Sequence, residues 1–274
     1  EVTYKRVKFE DLDGWKLDQF NEVLPLIKKS CLKSATRKYE NKFGLSVTNM
    51  KEVCQEILDI NLKNNNELIR NILESIFDPF SVSTGKNYKG TFTGYFEIVL
   101  EGSYTKNSEY TVPLYGVPKD MITLNNKAFK LPNSSPNLIG QVVDNQLVPY
   151  DDRRTIKSNP EFKKRANVLV WVKDIVDAHL LHIQGSGIIK FKSGSYKRIG
   201  YAGNNGRKFK GIGSILLAKG LITKSQASMP EVAKWLKANA GSSSKLLDQN
   251  PRYIFFRWTG KDGPIGAFDI PLTP

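Results

Sequence analysis

The hydrophobic periodicity of this chain changes once, near Phe80, and that change constrains the fold more than any other feature. Before it, apolar residues recur at helical spacing. Met50, Val53, Cys54, Ile57 and Leu58 follow an i, i+3, i+4, i+7, i+8 pattern, and Ile69, Ile72, Leu73, Ile76 and Phe77 repeat it after the polar link Lys63-Asn64-Asn65-Asn66. A stripe of this kind buries one side of a helix and leaves the other wet. An earlier helix is predicted over residues 17–33, shortened or kinked by Pro25, which lacks a backbone donor.

After Phe80 come a turn-rich link over residues 81–89 and then short runs punctuated by Gly, Pro and Asn. Strands are predicted over residues 91–100, 110–115, 168–172, 178–184, 188–191 and 198–201, with a last one over 253–258. Their spacing suits a small barrel or sandwich better than a βαβ sheet. Helices return over residues 212–219, closed by Gly220, and after Ser228-Met229-Pro230-Glu231. That stretch has the form of a capping box, with Val232, Trp235 and Leu236 on the buried side of its helix. The class is α+β, mainly β.

Composition narrows function only coarsely. The formal charge of +14 favours polyanionic partners: nucleic acid, an anionic membrane surface or peptidoglycan. No compact basic block interleaved with aromatics supports nucleic acid, and Lys163-Lys164-Arg165 and Arg153-Arg154 read as solvated surface. No apolar run reaches the roughly 18–20 residues that cross a bilayer. Glu1-Val2-Thr3-Tyr4-Lys5 lacks the regions of a signal peptide, which fits a cytosolic protein or one whose signal has been removed. Cys31 and Cys54, the only cysteines, are spaced for neither a redox pair nor a zinc site, and read equally as two buried thiols or one disulfide.

Two segments concentrate unusual chemistry: Gln184-Gly185-Ser186-Gly187, and Gly200-Tyr201-Ala202-Gly203-Asn204-Asn205-Gly206. Glycines let a ligand approach the backbone, while amide, hydroxyl and phenol groups hydrogen-bond sugar hydroxyls and stack on a pyranose. Two tight hairpin turns would look the same. Gly185-Ser186-Gly187 lacks both the GxSxG spacing of a nucleophile elbow and the GK[ST] of a phosphate loop. The two histidines, His179 and His182, would point to opposite faces of a strand, so neither a metal site nor a serine triad is expected. Among carboxylates, Glu97 beside Gly94-Tyr95-Phe96 has aromatic neighbours that would raise its pKa by desolvation, while Asp177 and Asp269 are less distinctive. No pair suited to glycoside hydrolysis stands out. From residue chemistry alone the reading ends at a polysaccharide cleft.

An ordered series of segments nevertheless resembles one family. It runs from Phe92-Thr93-Gly94-Tyr95-Phe96-Glu97 through Val112-Pro113-Leu114-Tyr115 with Pro118, Val148-Pro149-Tyr150 with Arg153, and Asp177 with Ile183-Gln184-Gly185-Ser186-Gly187. It continues with Gly200–Gly206, Ile212-Gly213, Ser228-Met229, Asn250-Pro251 with Phe255-Phe256, and Gly266 with Pro271-Leu272-Thr273-Pro274. Together these are similar to the MltA-type lytic murein transglycosylases. The resemblance implies an enzyme that cleaves the β-1,4 bond between N-acetylmuramic acid and N-acetylglucosamine without water, metal or cofactor. One aspartate protonates the glycosidic oxygen and then acts as base while the muramyl 6-hydroxyl attacks C1, giving a 1,6-anhydro sugar. It implies a double-psi β-barrel, incomplete here and preceded by helices, and a small inserted β-barrel domain, with a groove between the two. By that resemblance residues 1–96 form the first part of the barrel domain, 97–258 the glycan-binding insert, and 259–274 the start of the return.

Carried over by motif, Tyr95, Glu97, Gln184, Ser186, Gly187, Tyr201 and Asn204 would bind substrate. A periplasmic address with outer-membrane association would favour a Cys31–Cys54 disulfide and match the basic charge to an anionic wall polymer. Two departures stand out. Ile98 replaces a proline of the family's pattern, and the family's three-aspartate segment with its catalytic acid follows the LTP at which this sequence stops. No residue here matches that acid. The expected partners are therefore peptidoglycan glycan strands and a complementary C-terminal segment or chain, with no nucleic acid. The competing expectation is a non-catalytic peptidoglycan-binding module or an inactive truncated relic.

Overall fold

The computed structural model describes residues 2–34, 50–61, 65–85, 89–90, 97–125, 128–130 and 138–260. These fall into two compact units, divided between Tyr95 and Phe96.

The first unit pairs strand β1 (Val2–Arg6) antiparallel with β2 (Phe80–Thr84), Val2 opposite Thr84 and Arg6 opposite Phe80. Between them in sequence lie helices α1 (Phe20–Ser34), α2 (Met50–Asp59) and α3 (Asn66–Ile76). The helical stripes meet as expected: Phe20, Leu24, Cys31, Cys54, Ile57, Ile60, Ile69 and Leu73 form one buried cluster. Cys31 and Cys54 are joined by a disulfide with Cα atoms 5.1 Å apart. Pro25 lies inside α1, which runs on through it. Asn65 caps α3 by accepting from the Leu68 N–H at 3.0 Å.

The second unit is built on a six-stranded sheet. Its strands are β3 (Ile98–Ser103), β4 (Val112–Tyr115), β8 (Val168–Val172), β9 (Ser186–Phe191), β10 (Tyr196–Asn204) and β11 (Ile254–Thr259), in the order β11-β10-β9-β3-β8-β4. Strand β3 runs parallel to β9, with Ile98 opposite Gly187 and Gly102 opposite Phe191; every other pairing is antiparallel. Between β4 and β8 lie a small antiparallel sheet of β5 (Ile122–Thr123), β6 (Ile139–Val143) and β7 (Gln146–Pro149), and helices α4 (Arg153–Ser158) and α5 (Phe162–Arg165). The β6–β7 turn places Asp144 and Asn145 at positive φ, the backbone that matches strand twist in a two-residue hairpin.

Alternation along the strands sends Leu100, Val170, Val172, Ile189, Phe191, Ile199 and Phe256 to one side, where helix α6 (Ile175–Gln184) covers them with Ala178 and Leu181. Leu181 and Ile189 are wholly buried, each contributing about 1.5–3 kcal/mol. Helices α7 (Ile212–Ala218), α8 (Met229–Ala238) and α9 (Ala240–Leu247) close a second apolar cluster that includes Val176 of α6. Tyr115, Tyr150, Ile156, Phe162, Tyr253 and Phe255 make a third.

Three expectations change. Residues 178–184 are helical, not extended, because Asp174 accepts from the N–H groups of Val176 and Asp177 at 2.7 and 2.9 Å, and Gly185 closes the helix at φ 81°. Ser228 does precede α8, but its side chain makes no capping bond, so the reciprocal box is not formed. The sheet also curls until edge strands β11 and β4 come into contact, yet among the described residues no ladder joins them into a closed barrel.

Candidate functional site

The left-handed turn at Gly185 converts α6 directly into β9, which puts the end of the helix beside β10. A cleft of about 450 Å³ opens there, lined by Arg153, His182, Ile183, Gln184, Gly185, Tyr201, Phe209, Asn250, Arg252 and Ile254. Two rings stand at its rim, Tyr201 48% and Phe209 54% exposed. Asn204 donates to the Tyr201 hydroxyl at 2.7 Å and accepts from the Gly206 N–H at 2.8 Å, which orients both side chains. The Gln184 amide reaches the Met229 sulfur at 3.7 Å, a weak acceptor.

One wall of the cleft is a tightly bonded segment. Buried Asn205 donates to the carbonyls of Asp151 and Pro251 at 2.8 and 2.9 Å and accepts from the Tyr253 N–H at 2.9 Å. Asn250 accepts from the N–H groups of Lys210 and Arg252. Behind them Arg153, 7% exposed, donates to the carbonyls of Asn250 and Arg252 at 3.1 and 2.7 Å and lies 5.2 Å over the Tyr253 ring. Its burial overturns the solvated reading for Arg153, while Arg154 is exposed as expected, and desolvation lowers the Arg153 pKa.

Helical rather than extended, α6 turns both histidines inward beside that cation. His182 Nδ1 accepts from the Ile254 N–H at 3.2 Å and lies 3.3 Å from the Arg153 guanidinium, which assigns the neutral ring proton to Nε2. Neither ring nitrogen of His179 has a partner among the described residues. Desolvation, then the Arg153 charge, pushes His179 down to about 3 and His182 well below 6.5. Both rings are therefore neutral at pH 7, and among the described residues no group of three metal-binding side chains comes together.

Of the residues singled out in sequence, the structure brings Gln184 and Tyr201 to the cleft and links Asn204 to Tyr201. Ser186 is half-buried at the start of β9, opposite Gly200. Gly187 is buried, and a Cβ there would lie 2.6 Å from the Ile98 carbonyl, so strand packing alone explains the glycine. Glu97 is not held in an apolar setting: Arg198 clasps it through Nε and a second guanidinium nitrogen at 2.8–3.2 Å. Asp177 pairs with Lys237 at 2.6 Å. Tyr95 and Asp269 lie outside the described residues. Sequence reasoning missed Phe209 and Arg252 as cleft residues; the adjoining Asn204-Asn205 and Asn250-Pro251 were the only signals nearby.

With that geometry in place, comparison with known proteins is decisive on family. Residues 91–257 match the family model described as the MltA specific insert domain. The chain belongs to the MltA family. Membrane-bound lytic murein transglycosylase A of Escherichia coli (strain K12) is 26% identical over 206 residues, 74% of this chain and 49% of the relative. The chain thus spans about half the length of the curated relatives it matches. A crystal structure of a membrane-bound lytic murein transglycosylase from Agrobacterium tumefaciens superposes with a TM-score of 0.82 at 26% identity, covering 99% of this chain and 75% of that one. Escherichia coli MltA with bound chitohexaose shares the fold, with a TM-score of 0.60 at 21% identity, over 99% of this chain and 67% of that one.

Proposed function

We propose that this chain supplies the glycan-binding cleft of a peptidoglycan lytic transglycosylase, which breaks the MurNAc-β-1,4-GlcNAc bond and leaves a 1,6-anhydro-muramyl end. The observation that carries this reading is the cleft itself: two exposed rings, Tyr201 and Phe209, flank the Gln184 amide and a wall of backbone fixed by Asn205 and Asn250. Rings stack on the apolar faces of a pyranose while amides bond its hydroxyls. The names of the relatives, murein transglycosylases, and the chitohexaose bound by one of them support the same class of ligand.

No Asp or Glu lines the cleft among the described residues, and Glu97 and Asp177 are committed to Arg198 and Lys237. The reading therefore assigns these residues to holding the glycan and names no acid for the proton transfers. The same observation favours a second reading, a non-catalytic peptidoglycan-binding module. The place of action proposed is the cell envelope, on the periplasmic side. The membrane-bound relatives and the Cys31–Cys54 disulfide support it; among the described residues no helix is long and apolar enough to span a bilayer.

Co-sedimentation with purified sacculi, with mass spectrometry of the released material, tests both readings. Binding is expected to weaken about tenfold in Gln184→Ala and in Tyr201→Ala, the loss of roughly one well-made polar or stacking contact. Unaltered protein left in the supernatant after the sacculi have pelleted would sink the glycan reading. Binding with 1,6-anhydro-muropeptides supports the enzyme, and binding without them supports the module.

A further inference from the structure

Two arginines line the cleft, and among the described residues no acid does. Arg153 and Arg252 both line it, and among the described residues neither pairs with a carboxylate. Four other arginines are matched to acids, Arg6 with Asp78, Arg70 with Glu74, Arg165 with Asp120 and Asp151, and Arg198 with Glu97, while Arg207 donates to the Tyr150 carbonyl. Arg153 spends its hydrogen bonds on the carbonyls of Asn250 and Arg252, which fixes the backbone from which the half-buried Arg252 side chain extends. Neutral groups make up the rest of the lining, Gln184, Tyr201 and Phe209 among them. A partly desolvated guanidinium in such a setting gains most from a planar anion that accepts two parallel N–H bonds.

We infer that the cleft selects a glycan bearing a carboxylate, with Arg252 as the residue that contacts the anion and Arg153 as the residue that positions Arg252. This rests on the glycan reading and narrows it, because chitin-type oligomers carry no such group. Two sources share the chemistry: the lactyl carboxylate of a muramyl residue whose peptide has been removed, and a carboxylate on the peptide itself.

Calorimetric titration of the whole chain with three oligosaccharides of equal length tests the inference. They are chitohexaose, a GlcNAc–MurNAc oligomer with free lactyl groups, and the same oligomer with lactyl groups amidated by an acidic peptide. At least one carboxylate-bearing ligand is expected to bind about tenfold more tightly than chitohexaose, and the advantage should shrink as salt is raised. Arg252→Gln should abolish the advantage, weakening the carboxylate-bearing ligand about tenfold more than chitohexaose, while Arg252→Lys keeps part of it; matching melting curves confirm that the variants fold. An advantage confined to the free lactyl ligand assigns the anion to the sugar, and one confined to the amidated ligand assigns it to the peptide. Equal affinity for all three ligands, with chitohexaose still bound, overturns the anion site and spares the glycan cleft, as does an Arg252→Gln loss that is equal across them. Failure of every ligand to bind overturns both.

Discussion

Arg153 opens α4 and Arg165 closes α5, so a short stretch of chain presents the same side chain in two opposite settings. Arg165 is clasped by Asp120 and Asp151, each at 2.6 Å, bonds the Gln141 carbonyl and rests over the rings of Tyr150 and Phe162. Desolvation lowers its pKa, but the bonds to Asp151 and Asp120 outweigh that and raise it. Arg153 is more deeply buried, spends its hydrogen bonds on carbonyls and a neutral histidine over the Tyr253 face, and forms no ion pair among the described residues; desolvation lowers its pKa although the Asp248 charge opposes this. The difference separates a charge that ties the fold together from one with no acid bonded to it beside a cleft. A cation clasped by two carboxylates has little left for a ligand, whereas one hydrogen-bonded only to dipoles still attracts an anion.

The largest effect that would sharpen this contrast is acid sensitivity. Both histidines beside Arg153 have pKa values depressed below 6.5, so above that pH they are neutral folded or unfolded and nothing is lost. As pH falls below 6.5 the unfolded chain takes up protons that the folded chain refuses, and stability drops by up to about 1.4 kcal/mol per pH unit for each histidine. Urea midpoints between pH 6.5 and 5, where carboxylates are still ionised, should show this slope, and His179→Leu should roughly halve it. A flat profile would mean that the histidines are not held neutral.

Next in size, Arg165→Met should destabilise by about 2 kcal/mol at pH 7, because Asp120 and Asp151 lose their shared cation. Arg153→Met should cost only about 1 kcal/mol: two carbonyls lose a donor, but a desolvated charge is also removed. It should also flatten the acid limb, since the guanidinium helps to depress both histidines. A larger loss from Arg153→Met than from Arg165→Met in chemical denaturation would break the comparison. Smallest of all, Arg252→Gln should shift stability by no more than about 0.5 kcal/mol, as expected for a side chain reserved for a ligand.

Local pattern made some of this legible from sequence. One-sided helices in the first unit, the strand Val168–Val172 and the glycine-flanked Gln184 and Tyr201 could all be read from spacing. Helix α6 could not be read from periodicity, because Ile175 to Gln184 is apolar nearly all round: it packs on the sheet through Leu181 and on the other helices through Val176. Its true signals were the ends, Asp174 and Gly185. The burial of Arg153 is hidden in sequence because a charge beside another charge is ordinarily surface, and the carbonyls that satisfy it lie almost a hundred residues away, at Asn250 and Arg252. The setting of Glu97 is hidden for the same reason, since its partner Arg198 is equally remote in sequence.

The parallel pairing of β3 with β9 also sets a timetable. Ile98 cannot find Gly187 until the chain between them has been made and largely gathered in, since closing so long a loop is entropically costly and yields no contact until it is complete. The β6–β7 hairpin and the β9–β10 pair can zip early and locally. The junction at Gln184-Gly185 leads into the strand that waits longest for its second neighbour, so the cleft should become ordered among the last steps of folding.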